Sequence, residues 1–234
     1  MNQKKNKFVE NYHNNGFYIV KKKIPLKQQN ELENLFFSIY SKKLKSNINR
    51  SNYSKKILEA EKNKNYDELY LAFQSYTKHK KYLKFSDFFL KFLKNKFRKK
   101  VKLINSGMAI GLNNSNRTSY KWHQEKPYYK SKKTIHIQFP LLSNCNKKNG
   151  TMSILKGSNK EGFLKNTINI KKGKKFVNSQ VPKNIKHLIK KYKEVSIDMQ
   201  RLDFTIFDEN VLHKTNQNYS KKIRLASIYR FKFI

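Results

Sequence analysis

Residues 201–231 read RLDFTIFDENVLHKTNQNYSKKIRLASIYRF. Apolar side chains alternate with polar ones over Asp203–Phe207 and again over Ile223–Phe233, with a polar, turn-forming segment between. A period of two is the signature of strands that bury one face, so this stretch predicts two strands with His213 in the connection between them. In the second strand Arg224 shares its face with Ala226 and Ile228. An arginine on an otherwise apolar interior face needs an anion beside it.

Upstream, the same period recurs at Lys102–Leu112, Thr134–Leu141, Thr151–Leu155 and Val195–Met199. Asn149-Gly150 carries the chemistry of a two-residue hairpin turn of type I′, which needs positive φ at both positions, and Gly157-Ser158 marks another turn. Before Val101 the period is helical. LKQQNELENLFFSIYSKK places Leu32, Leu35, Phe36 and Ile39 at i, i+3, i+4 and i+7, predicting a helix from about 27 to 43. Two further helices are predicted at Asp67–Thr77 and from Ser86, as N-cap, through Phe97. Ser46 to Lys56 is polar and reads as a loop, while Phe8–Ile24 reads as a helical turn, a stop at Gly16 and a first strand over Phe17–Val20. Helices followed by strands predict an α+β chain, its helices packed on one face of an antiparallel sandwich or barrel. We expect one domain, mainly helical over 1–100 and strand-rich over 101–234, without internal repeats.

The 234 residues carry 53 Lys and Arg against 15 Asp and Glu, a net charge of +38, with 37% apolar and 14% aromatic residues. The recurrent Phe, Tyr, Ile and Leu in patterned segments argue against disorder. The basic residues divide into 47 Lys and 6 Arg, and Asn occurs 28 times. Nucleic-acid sites favour Arg for planar, two-pronged contacts, so scattered Lys points to base composition acting on surface positions rather than to a nucleic-acid partner. An anionic small substrate remains compatible with the charge. No apolar run approaches the roughly 18 residues a membrane span needs, and MNQKKNKFVENYHNN lacks the apolar stretch of a secretory signal, so a cytoplasmic location is expected. With Cys145 as the single cysteine, internal disulfides and cysteine-rich zinc sites are excluded.

Trp122-His123-Gln124-Glu125 sets an imidazole and a carboxylate two residues apart, on one side of an extended segment. Together with His213 these would make two His and one carboxylate, the facial set that suits non-haem Fe(II) and leaves adjacent positions open for a chelating co-substrate and oxygen. Arg224, 11 residues after His213, could pair with the distal carboxylate of 2-oxoglutarate.

Over nearly its whole length the chain resembles the phytanoyl-CoA dioxygenase family of Fe(II)- and 2-oxoglutarate-dependent oxygenases. The resemblance lies in FVENYHNNGFYIVKKKI (8–24), in WHQEKPYY (122–129), in IQFPLLSNCNKKNGTMSILKGSNKEG (137–162) and in the 201–231 stretch. It implies a double-stranded β-helix, the cupin-like jelly roll, with N-terminal helices on one face. It also implies that His123, Glu125 and His213 ligate iron and that Arg224 and Thr215 bind 2-oxoglutarate. The activity it implies is oxidative decarboxylation of 2-oxoglutarate to succinate and CO2, consuming O2 and hydroxylating a small or carrier-linked organic substrate. Three positions depart from the family's pattern: Glu125 in place of the commoner Asp, Asn159 in place of a His, and Leu202 in place of a Gly. A carboxylate at 125 argues against halogenation, which needs that coordination position free for halide.

An alternative of another class is a catalytically inactive basic jelly roll that binds nucleic acid or another polyanion. Tyr128 and Tyr129 read as packing residues or pocket lining, Gln124 admits either an orienting or an outward role, and His136 reads as a surface or hydrogen-bonded structural histidine. His13, His79 and His187 are expected in solvent, and Asp203 and Asp208 at turns or strand ends. Cys145 has nothing near it in sequence to activate a thiolate. The lysine-rich segments 46–64 and 162–193 are expected to cover the mouth of the barrel.

Overall fold

The computed structural model describes residues 7–115, 118–128, 133–168 and 180–234. The described residues form six helices and ten strands, with five of the helices before Val101 and nine of the strands from Val101 onward. Helix α1 (Lys7–Asn15) stops at Gly16 and hands over to β1 (Phe17–Val20). Gly16 takes φ +77°, and a Cβ there would come within 2.6 Å of Val211 and 2.7 Å of Asn159, so the stop needs both glycine's conformation and its bareness. Asn159 adds a hydrogen bond from its Nδ2 to the His13 carbonyl, 2.9 Å.

The helical layer is α2 (Leu26–Lys43), α3 (Tyr53–Lys62), α4 (Tyr66–Thr77) and α5 (Lys80–Phe97). On α2 the buried Leu32, Phe36 and Tyr40 form the expected stripe, each contributing about 2 kcal/mol by burial. Two boundaries differ from the sequence reading. Residues 53–62, taken in part as loop, are a helix because Tyr53, Ile57 and Ala60 bury a narrow face that surrounding Lys and Glu obscure. Helix α5 starts six residues earlier than Ser86, which lies buried inside it. Its cap is His79, whose Nδ1 accepts from the Lys81 amide at 3.1 Å.

The larger sheet runs β1-β8-β3-β10-β2, antiparallel throughout, with β2 (Val101–Gly111), β3 (Thr134–Pro140), β8 (Phe204–Asp208) and β10 (Arg224–Phe233). Facing it is a smaller sheet, β7-β4-β9, from β4 (Met152–Leu155), β7 (Glu194–Ser196) and β9 (His213–Thr215). A third pairing joins β5 (Asn166–Ile168) to β6 (Gln180–Pro182), and α6 (Ile185–Lys191) follows. Strand β10 shows the layering: Leu225, Tyr229 and Phe231 pack against the helices, whereas Ala226 joins Phe17, Cys145, Met152, Ile154 and Phe207 between the sheets. This is the jelly-roll arrangement with helices on one face.

The turn at Asn149-Gly150 is not a two-residue hairpin. Lys147–Asn149 form a short 3-10 turn, with reciprocal side-chain hydrogen bonds between Asn146 and Asn149, and only Gly150 is left-handed. Leu202 also has positive φ, +77°, which turns its carbonyl to accept from both Lys23 and Ile24 amides at 3.1 Å. Among the described residues no helix is long and apolar enough to cross a membrane.

Candidate metal centre

His123 lies on the short segment before β3, and His213 opens β9. The two form an antiparallel bridge, each amide donating to the other's carbonyl at 2.9 and 3.0 Å, which puts both imidazoles on one face with ring centres 4.2 Å apart. Two residues past His123, the Glu125 amide donates to the Glu209 carbonyl (3.0 Å), and its Oε1 lies 3.6 Å from His213 Nε2. All three side chains are buried, and one donor atom from each falls within 4.8 Å of the others. The spacing read from the sequence therefore converges on a point.

The donor set fits a metal ion. His123 Nδ1 sits 2.7 Å from the Lys121 carbonyl and His213 Nδ1 3.1 Å from the Val211 carbonyl. A carbonyl only accepts, so each Nδ1 carries the proton and each Nε2 keeps its lone pair for the shared point. Burial, aided by neighbouring His213, pushes the His123 imidazole down to about 3, so it is neutral at ordinary pH. Burial alone would raise the Glu125 carboxyl, but the Arg230 guanidinium beside it holds it well below the usual carboxylate range.

Around the triad lies a set of residues that the sequence reading missed or left open. Arg230 Nε is 3.3 Å from Glu125 Oε2. It extends the 224-226-228 alternation by one step, which is the signal that could have found it. His136 is fully buried rather than at the surface, its Nε2 3.0 Å from Thr134 Oγ1 and its Nδ1 3.9 Å from Glu125 Oε2. Thr134 in turn donates to Glu209 (2.6 Å), and Lys126 closes the chain at 2.9 Å. Gln124 points inward and ties a loop: its Nε2 donates to the Gly162 and Asn210 carbonyls (2.7 and 2.6 Å), and its Oε1 accepts from Leu164 (3.0 Å).

Arg224 is 1% exposed, yet its Nε and Nη1 have no hydrogen-bond partner among the described residues. Burial pushes its guanidinium down, and Cys145, lifted to about 11 by its own burial, is the group that offsets this. A buried cation without a counter-charge is costly, so the guanidinium fits an anionic partner such as the distal carboxylate of 2-oxoglutarate. Thr215 closes β9, its amide donating to the Tyr120 carbonyl at 3.0 Å. It lines a cavity of about 470 Å³ together with Tyr120, Lys121, Trp122, Ile185 and Lys214. Val181 and Ile189 also line it, so the described part of 162–193 borders this cavity, whose lining includes none of His123, Glu125, His213 and Arg224. Segment 46–64 instead contributes α3 to the helical layer, where Ser54 Oγ accepts from the Ile223 amide (2.8 Å).

The remaining candidates are structural. Asp203 accepts from the Lys22 and Gln200 amides (2.8 and 2.9 Å), and Asp208 from the Asn210 amide (2.9 Å). His13 and His187 are exposed, while His79 is the α5 cap. Tyr128 is half exposed beside His123, ring centres 6.4 Å apart; Tyr129 lies outside the described residues.

The sequence profile of the phytanoyl-CoA dioxygenase family matches residues 12–226. No curated protein matches the sequence at a significant level. Among solved structures, AviO1 from Streptomyces viridochromogenes Tue57 aligns over 97% of this chain and 93% of its own, at 9% identity and a TM-score of 0.60. EctD from S. alaskensis, determined with 2-oxoglutarate and 5-hydroxyectoine, aligns over 97% and 75%, at 12% identity and 0.58. The epimerase SnoN, in complex with Fe3+, α-ketoglutarate and nogalamycin RO, aligns over 97% and 82%, at 9% identity and 0.54.

Proposed function

This chain belongs to the phytanoyl-CoA dioxygenase family, and from that membership we propose that it is an Fe(II)- and 2-oxoglutarate-dependent dioxygenase that hydroxylates a small or carrier-linked organic substrate. The observation that carries the reading is the buried convergence of His123, Glu125 and His213, each with a donor atom free for a common ion. EctD and SnoN, which share the fold, are solved with 2-oxoglutarate or α-ketoglutarate, and this supports the same co-substrate here.

His123 and His213 would hold the ion through Nε2, each imidazole fixed by its Nδ1 hydrogen bond, and Glu125 would supply the anionic donor. When bound, Fe(II) with 2-oxoglutarate and O2 supplies the oxidising chemistry, yielding succinate, CO2 and a hydroxylated product. Arg224 would pair with the distal carboxylate of 2-oxoglutarate, with Thr215 as a second donor. Gln124 ties 162–164 to the segment that carries His123 and Glu125. Among the described residues nothing favours the polyanion-binding alternative.

The test needs no substrate: anaerobic calorimetric titration of 2-oxoglutarate into the protein with Fe(II), beside metal-free, His123→Ala and Arg224→Ala samples. Micromolar, metal-dependent binding that weakens in both variants supports the reading. Binding that ignores the metal, or its absence, overturns it.

A further inference from the structure

The two oxygens of Glu125 face different partners. Oε1 lies 3.6 Å from His213 Nε2, on the side where the three donor atoms converge, while Oε2 lies 3.3 Å from Arg230 Nε and 3.9 Å from His136 Nδ1. Arg230 and His136 stand directly opposite each other on β10 and β3, and of the two it is the Arg230 guanidinium that donates to Oε2. The β10–β2 register shifts immediately after Arg230, a bulge of the kind that re-aims a side chain. His136 is fixed from behind: the one hydroxyl proton of Thr134 goes to Glu209, so Thr134 Oγ1 accepts from His136 Nε2.

We propose that Arg230 is a positioning residue that clamps Oε2 of Glu125 and leaves Oε1 as the only carboxylate donor to the metal. The inference rests on the reading of the triad as a metal centre. A glutamate on a flexible stem can offer both oxygens to one ion, occupying a position that a chelating co-substrate needs. Tying one oxygen to a guanidinium removes that option and orients the other, as outer-shell partners do for metal ligands. An aspartate at 125 would be shorter by one C–C bond, about 1.5 Å, and would withdraw from Arg230.

A double-mutant cycle on the full chain tests this, with Mn(II) as the metal probe and 2-oxoglutarate titrated calorimetrically into the Mn(II)-loaded protein. In Arg230→Met, Mn(II) still binds and 2-oxoglutarate affinity falls by about tenfold, the lower end of what losing an outer-shell partner costs. Arg230→Lys, which can still donate to Oε2, recovers most of that loss. In a Glu125→Asp background, where the contact is already broken, Arg230→Met changes 2-oxoglutarate affinity by less than about threefold. Arg230→Gln replaces the Met variant if that one does not fold. An equal loss in the Asp background would mean that Arg230 acts by charge at a distance, and unchanged binding in Arg230→Met would mean that it holds nothing; either overturns the clamp alone. Failure of the unaltered protein to bind Mn(II) overturns the metal centre and the clamp with it.

Discussion

Gly111 on β2 lies opposite Arg224 on β10, so close that a Cβ would sit 3.1 Å from the guanidinium Nε and 3.2 Å from Nη2. The glycine leaves the room in which the buried arginine lies. Gly111→Ala should push the guanidinium aside by a few tenths of an ångström. The expected result is 2-oxoglutarate binding weakened by about tenfold with Mn(II) binding unchanged, both read by calorimetry. Equal loss of both would place the effect in the fold instead.

Two neutral histidines make the metal-free protein acid-sensitive. His123 and His136 are pushed from 6.5 down to about 3 by burial. Between these values the unfolded chain binds protons that the folded chain refuses, so stability is full above about pH 6.5 and falls as the pH drops toward about 3. Urea unfolding of metal-free protein at a series of pH values should show midpoints falling throughout that window. The His136→Phe variant should fall less steeply.

Leu202 holds a left-handed backbone that glycine would hold without strain. Leu202→Ala loses packing and keeps the strain, whereas Leu202→Gly loses packing and relieves it. The Gly variant should therefore exceed the Ala variant in stability by about 1 kcal/mol, the reverse of the ordinary order, as measured by equilibrium denaturation.

Gln124→Leu strips partners from the Gly162 and Asn210 carbonyls and the Leu164 amide at once. A loss of about 2–3 kcal/mol is expected, since buried backbone groups left unpaired cost on the order of 1 kcal/mol or more each. Hydrogen exchange should rise first at 162–164. Protection unchanged there would show that the loop is held by other contacts.

What sequence periodicity could reveal was local. The two-residue step from His123 to Glu125 and the strand face of Arg224 are fixed by a pleat that any extended segment shares. Their convergence with His213, 90 residues later, rested on family resemblance, because only the cross-strand bridge brings them together. Arg230 lay within reach of the same alternation but was one basic residue among 53. Thr134, Glu209 and Gly111 act through long-range pairing and carry no local signature. The α3 helix was hidden because its apolar face is only three residues wide, and the Asn149-Gly150 turn because Asn146 offers a competing side-chain cap.

Trp122 is the only tryptophan in the chain. It adjoins His123, forms part of the 470 Å³ cavity, and carries Lys214 Nζ over its ring at 4.6 Å. Indole emission responds to a nearby cation and to displaced water, and no second fluorophore of its kind dilutes the signal. The protein thus contains its own optical reporter beside the candidate site, and a library of unlabelled substrates can be screened by watching a single residue glow or dim.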